Sequence, residues 1–399
     1  MADAPWLTIV GMGEDAPDGL PPASLAALQA AEIVMGPTRH LGLLPDLKAE
    51  LVAWPVPFAD GIAPLLGLRR RRVVVLASGD PFWFGAGRSL ARHLAPGEWT
   101  ALPGPSTFSL VAARMGWALE RTECLGLHAA PHARLRPVIS AGVRIIVLLR
   151  DGAAVRGIAE YLSDAGFGAS RMTVFEAVGG PRERRSDCTA AESPDIGFAH
   201  PVCAAVELQG DGATLPLTGG RPDAWFDSDG QMTKRPVRAL TLSALAPRPF
   251  EHLWDIGGGS GSVGIEWLLA HSSVTATTIE PRADRAARIA QNAARLGVDR
   301  LTVVQGAAPE ALVGRPLPDA VFIGGGLSQA LLDWLEAHLP RGVRIVANAV
   351  TLESEALLTE ARARLGGDLL RIELAQATPL GGRTCWKSSY PVVQLSAVR

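Results

Sequence analysis

The stretch Leu253-Trp-Asp-Ile-Gly-Gly-Gly-Ser-Gly-Ser-Val-Gly-Ile-Glu-Trp267 constrains this chain more than any other. Residues 253–256 read as a short buried strand, glycines at 257, 258, 259 and 261 as a turn, and apolar residues at 263, 265, 267 and 268 as the start of a helix. Glycine is required there because a tight turn takes backbone conformations that a Cβ forbids, and because a ligand must reach the main chain. Two nucleotide-type cofactors fit the spacing. Gly257-x-Gly259-x-Gly261 suits a methyl donor, whereas Gly259-Ser-Gly261-Ser-Val-Gly264 also matches the dinucleotide fingerprint.

Beyond this turn, strands are expected at 253–256, 274–280, 301–305, 319–324, 343–348, 369–376 and 391–396. Helical patterns fill the gaps, the clearest being Arg282 to Leu296 with Gly297 at its carboxyl cap. A Pro/Gly-containing loop, 378–391, is expected between the last two strands. Five parallel strands closed by an antiparallel pair is the shape of a class I methyltransferase. A methyl donor needs an acid at the second strand's end for its ribose, and Glu280 stands there, 19 residues after Gly261. Asp255 is placed to receive the donor's amino group, directly or through water. Gly257, Gly259 and Gly261, with Gly324 and Gly325 after the fourth strand, offer close backbone contact, and Asn348 closes the fifth strand on the same edge with an uncharged amide. No lysine of the triphosphate-binding type follows the turn.

The first half also alternates strands and helices, with strands at Trp6 to Val10, Glu32 to Gly36, Arg72 to Ala77, 144–149, 171–176 and 202–208. Helices are expected at Ser24 to Ala31, with Ser24 as the amino-terminal cap, and at Ser109 to Met115. Three strand ends carry glycine beside proline, serine or aspartate: Gly11-Met-Gly13, Ser78-Gly79-Asp80-Pro81 and Gly104-Pro-Ser106-Thr107. Ligands of open α/β sheets sit beyond such carboxyl ends, although each loop is also an ordinary turn former. Two basic clusters, Arg69 to Arg72 and Arg182 to Arg185, read as a solvated strand start and a solvated loop, or as a positive rim for a polycarboxylate. From Gln209 to Gly230 the rhythm stops in Gly, Pro and Asp, which marks a connection; Lys234, Arg235 and Arg238 then place three cations at the entrance to the second half.

These motifs resemble two families. The loops at 11–13, 78–81 and 104–107 look like the tetrapyrrole methylase fold, the class III methyltransferases that methylate precorrins. Many members continue the first turn as Gly-Pro-Gly-Asp-Pro, where this chain has Gly13-Glu-Asp-Ala-Pro17. The lead-in Asp229 to Arg235, the 253–267 stretch, Ile323-Gly-Gly-Gly326 and Asn348-Ala-Val-Thr351 resemble the decarboxylating precorrin methyltransferases. Pro236 replaces a glutamate common there, and Ala307, after Gly306, replaces an acid that approaches the adenine, leaving that contact to the backbone.

The resemblance implies an α/β chain of two folds: a two-lobed class III tetrapyrrole methylase domain over residues 1–211, a linker over 212–232, and a seven-stranded class I Rossmann-like domain over 233–399. It implies S-adenosylmethionine at two sites, one per domain. The reaction it implies is methylation of precorrin-6B at C5 by the first domain and at C15 by the second, with loss of the ring C acetate carboxyl, giving precorrin-8 in cobalamin biosynthesis. Lys234, Arg235 and Arg238 would bind substrate carboxylates and Asn348 would orient the ring. The family also implies a homo-oligomer. An NAD-dependent reductase and a non-catalytic tetrapyrrole-binding protein are the rival readings.

Composition sets the remaining bounds. A chain of 399 residues exceeds one ordinary core, and 48% hydrophobic content supports two. A net charge of −2 gives no general attraction to nucleic acid or anionic membranes. The apolar runs are strand-length, and Met-Ala-Asp-Ala-Pro lacks a basic, apolar signal start, so a cytoplasmic protein is expected. Four scattered cysteines suggest reduced thiols, and His128 and His132 flank Pro131, which argues against a metal pair on one helical face.

Overall fold

The computed structural model describes residues 5–193 and 197–399; the first four residues, part of the start read above for a signal, lie outside them. The chain divides into two compact units, Met1–His132 with Ser140–Ala213, and Ala133–Ile139 with Thr214–Arg399. Among the described residues, no helix is long and apolar enough to cross a membrane.

The first unit holds two five-stranded sheets. One comprises β1 (Leu7–Met12), β2 (Ile33–Gly36), β3 (Glu50–Ala53), β4 (Val73–Ser78) and β5 (Trp99–Leu102), all parallel in the order β3-β2-β4-β1-β5. Its central strands read as unbroken apolar runs because helices cover both faces. The other comprises β6 (Thr122–Gly126), β7 (Arg144–Leu149), β8 (Arg171–Glu176), β9 (Arg184–Thr189) and β10 (Val202–Glu207), in the mixed order β6-β7-β10-β8-β9. Four of these strands, β3, β5, β6 and β9, escaped the sequence reading because they are short or polar edge strands, where burial imposes little pattern. Arg184 and Arg185, expected in a loop, open β9. Ser24 does not cap its helix: the helix spans Pro22–Ala30 behind Pro21, with proline in its first turn and Ser24 buried inside.

The second unit carries a seven-stranded sheet. Its strands are β11 (His252–Ile256), β12 (Thr275–Glu280), β13 (Thr302–Gln305), β14 (Ala320–Ile323), β15 (Arg344–Ala349) and β16 (Asp368–Ile372), then the separate hairpin β17 (Ala375–Leu380) and β18 (Arg383–Ser388), and finally β19 (Val392–Val398). The order is β13-β12-β11-β14-β15-β19-β16, with β19 antiparallel to both neighbours. A dinucleotide-binding sheet runs 3-2-1-4-5-6 without that inserted antiparallel strand, so the topology favours the methyl-donor alternative. The expected loop at 378–391 is largely the β17–β18 hairpin; its exposed strands bury too little to leave an apolar signature. A helix at Arg235–Leu245, not anticipated, tolerates Pro236 because its first turn needs no proline N–H.

Candidate functional site

Two clefts, one in each unit, lie at the carboxyl ends of parallel strands: those of β1 and β4 in the first unit, and those of β11, β12 and β14 in the second. In the first unit, the loops after β1, β4 and β5 are tied by backbone bonds: Gly79 N donates to Met12 O at 2.9 Å, and Gly104 N donates to Gly79 O at 3.2 Å. A Cβ at Gly11 would stand 1.9 Å from Gly79 O and 2.5 Å from Gly104 N, so the junction closes only with glycine. It opens on a cleft of about 340 Å³ whose lining includes Gly13, Ser78, Gly79, Asp80, Ser106 and Thr107. Gly11, Pro81 and Gly104 sit behind that lining and shape it. Ser106 caps the helix Thr107–Met115 by accepting from Ser109 N at 3.1 Å, and Asp80 Oδ1 accepts from Phe82 N at 2.8 Å.

The same cleft gathers residues that the sequence reading passed over. Arg39 and His40, from the proline-rich stretch after β2, face Glu14 and Ser78, and Trp54, Trp83 and Phe84 supply aromatic walls. His40 Nε2 lies 2.9 Å from Arg39 Nη2 and 3.3 Å from Ser78 Oγ. Burial first, and the Arg39 charge second, push its imidazole down to about 3, so it is neutral at physiological pH. Arg182 lies 3.1 Å from Glu14 Oε2, which links one residue of its basic cluster to the first loop. No periodicity marks Arg39 or His40, because their short helix, Thr38–Leu41, is a single turn.

The second cleft, about 490 Å³, is framed by Gly257 to Gly259, Glu280, Gly306, Ala307 and Gly324 to Gly326, with Lys234 and Asn348 also in its lining. Gly257 and Gly258 both donate to Ile279 O, and Gly324 N donates to Ile256 O at 2.8 Å. Gly257, Gly259 and Gly261 have φ of +74°, +58° and +75°, the left-handed region that the turn demanded. Glu280 is buried at the end of β12; its Oε2 accepts from Gly259 N at 2.9 Å and its Oε1 from Arg282 N at 3.1 Å. Gly261 lies outside the lining and keeps the turn clear of Ile289, which a Cβ would meet at 2.7 Å.

Three expectations need correction. Asp255 does not line the cleft: it lies beneath the turn, where Oδ2 accepts from Gly264 N and Thr278 Oγ1, each at 3.1 Å. Burial raises its carboxyl to about 6, the Glu280 charge adds to the rise, and the two hydrogen bonds oppose it. Arg238, a candidate for substrate carboxylates, is fully buried, with Nε 2.6 Å from Glu266 Oε1 and Nη1 3.0 Å from Asp223 Oδ1. The buried Glu266 demands cationic partners, and Arg221 supplies the second at 3.3 Å. Arg235 is exposed but outside the cleft lining, its Nε donating to Gly220 O at 2.8 Å. Lys234 alone of the three reaches the cleft.

Asn348 is held by its neighbours. Register pairs it with Gln394 across β15 and β19; its Oδ1 accepts from Gln394 Nε2 at 2.9 Å and its Nδ2 donates to Thr241 Oγ1 at 3.0 Å. Arg285 also lines the cleft, paired with Asp229 at 2.8 Å.

A two-lobed cleft built on three glycine loops, and a separate seven-stranded sheet with a glycine cradle at its carboxyl edge, define a chain of two methyltransferase folds. Residues 6–194 match the family model for tetrapyrrole (corrin/porphyrin) methylases, and residues 224–399 match that for the precorrin methyltransferase domain. The chain belongs to the precorrin-6Y C5,15-methyltransferase (decarboxylating) family. The Sinorhizobium sp member is 50% identical over 398 residues, covering 98% of this chain and 96% of its own. The Mycobacterium tuberculosis member is 39% identical over 402 residues, covering 98% and 100%. A solved C-terminal domain of precorrin-6Y C5,15-methyltransferase from Rhodobacter capsulatus is 59% identical, covers 46% of this chain and 100% of its own, and superposes with a TM-score of 0.45. The chain is therefore an enzyme of the methyltransferase class, whose methyl donor is S-adenosylmethionine.

Proposed function

We propose that this chain methylates precorrin-6B at C5 and C15 and removes the ring C acetate carboxyl, forming precorrin-8 in cobalamin biosynthesis, with one S-adenosylmethionine in each unit. C5 methylation belongs to the first unit, and C15 methylation with decarboxylation to the second. The observation that carries this reading is the pair of separate glycine-built clefts, each at the carboxyl ends of parallel strands.

The residues present suit such a donor. In the second cleft, Gly257, Gly259 and Gly325 leave the lining free of side chains at those positions, and Glu280 provides a carboxylate for ribose hydroxyls. In the first, Gly13, Gly79 and Thr107 bring main chain to the lining. S-adenosylmethionine supplies an electrophilic sulfonium methyl, and a reduced tetrapyrrole has enamine-like carbons that are already nucleophilic. The protein's part is then alignment, which supplies on the order of 7 to 11 kcal/mol in the best cases. Asn348, its amide fixed by Gln394 and Thr241, orients the macrocycle in the second cleft, and Lys234 receives an acidic side chain. The macrocycle accepts the electron pair released by decarboxylation, so the chain's own residues position the acetate. A homo-oligomer in the cytoplasm completes the reading.

Titration of the intact chain with S-adenosylhomocysteine tests it. Two sites are expected, and Glu280→Ala should weaken one of them. A single site that Glu280→Ala leaves untouched would defeat the assignment of one donor per unit.

A further inference from the structure

We infer that Arg39 is the residue that anchors an acidic side chain of the tetrapyrrole in the first cleft, with Glu14 holding it in place, and that this contact sets which edge of the macrocycle is methylated there. The inference rests on the reading that the first unit methylates C5.

The argument begins with charge. Glu14 is buried, 8% exposed, and faces two guanidinium groups: Arg39 Nη1 lies against Oε1, and Arg182 Nη2 stands 3.1 Å from Oε2. One carboxylate between two arginines leaves one positive charge unmatched. Neutral His40 adds none and instead fixes the guanidinium plane through Nε2. Ser78 Oγ, 3.3 Å from Arg39 Nη2, ties the same group to the second cofactor-type loop. Burial and the neighbouring Arg182 both disfavour the charge on Arg39, so an incoming anion relieves a cost already present.

The surroundings make that charge selective. Among the described residues lining the cleft, Arg39 is the one lysine or arginine, and Asp80 is the one acid besides Glu14. Asp80 turns back into its own loop to accept from Phe82 N. Much of the remaining wall is apolar and aromatic, including Trp54, Phe58, Trp83, Phe84 and Phe175, which lowers the local dielectric and strengthens a charge pair. A flat macrocycle bearing many carboxylates has bridging carbons of similar reactivity. Apolar walls alone accept it in several rotations, whereas one fixed cation singles out one acidic side chain and hence one edge.

The test uses the full chain, the precorrin substrate and an isotope-labelled methyl donor, with the position of each transferred methyl read from the product. Arg39→Ala should raise KM for C5 methylation about ten- to hundred-fold, the loss of one charge-assisted hydrogen bond. S-adenosylhomocysteine affinity at the first site should stay within about twofold, and Arg39→Lys should recover part of the KM. C15 methylation and decarboxylation serve as the internal measure of an intact chain. Unchanged KM in Arg39→Ala overturns the inference, as does a parallel loss of S-adenosylhomocysteine binding that lysine does not restore. A parent chain that transfers no methyl to C5 defeats the underlying reading and the inference with it.

Discussion

Gly257 and Gly325 meet back to back across the second cleft: a Cβ on Gly257 would stand 2.5 Å from Gly325 N and 2.6 Å from its Cα. The turn after β11 and the loop after β14 therefore close into one cradle only while residue 257 lacks a side chain. Its φ of +74° adds a second, independent reason for glycine. Gly326, with φ of +73° and open space for 4 Å around the position a Cβ would take, has only the conformational reason.

Gly257→Ala should abolish donor binding in the second unit and leave the first unit's site intact. Gly326→Ala should cost only the left-handed strain, about 1–3 kcal/mol. Titration calorimetry with S-adenosylhomocysteine on both variants checks the contrast. Equal affinity losses in the two would show that clash at the cradle is not the cause.

Glu280→Gln keeps the shape of the side chain while removing its charge. Affinity for S-adenosylhomocysteine at the second site should fall about tenfold, as expected for a charged hydrogen bond weakened to a neutral one. Thermal stability should also fall, by about 1–3 kcal/mol, because the amide has one oxygen for the two backbone donors, Gly259 N and Arg282 N, that the carboxylate accepts. An unchanged affinity would place the donor's ribose elsewhere.

Neighbouring cations should behave differently. Arg238→Ala strips a fully buried partner from Glu266 and should destabilise the second unit by about 3–5 kcal/mol. Arg235→Ala, at an exposed position, should cost less than about 1 kcal/mol and leave KM for C15 methylation within about twofold. Lys234→Ala should raise that KM about tenfold without unfolding the unit. Urea denaturation and steady-state kinetics separate the three, and a shared phenotype would contradict these placements.

Asp255 predicts a pH-dependent stability. Its carboxyl is raised in the folded chain from 3.8 to about 6, so the folded state binds the proton more tightly. The contribution is fully present below the unfolded value and is lost as pH rises through about 6, a change of about 3 kcal/mol. Asp255→Asn removes this ionisation while keeping an oxygen for Gly264 N. The variant should gain stability relative to the parent as pH increases from about 4 to about 7. A stability difference that stays flat over that window, followed by the unfolding transition of the second unit, would rule the linkage out.

The loops around the two clefts were legible because they depend on local chemistry. A glycine such as Gly257 or Gly79 marks a conformation or a close approach in any context, and Glu280 follows from where a strand ends. The alternation of apolar strands and helices likewise indicates two α/β halves, since central parallel strands must bury both faces. The edge strands β3 and β9 and the hairpin β17–β18 left no such trace.

Sequence alone thus determined the α/β class, the glycine turns and the family resemblance. Tertiary structure decided the fate of the charges. Lys234, Arg235 and Arg238 lie within five positions, yet one lines a cleft, one is exposed beside it and one is buried on Glu266. Lys234 precedes the helix in an extended conformation, while Arg235 and Arg238 sit within it, and the packing that brings Glu266 against Arg238 is absent from composition. Asn348 acquires its orientation from Gln394 through strand register, and Arg39 its position from Glu14 through the convergence of two loops. Contacts over such separations exist only once the sheets have formed.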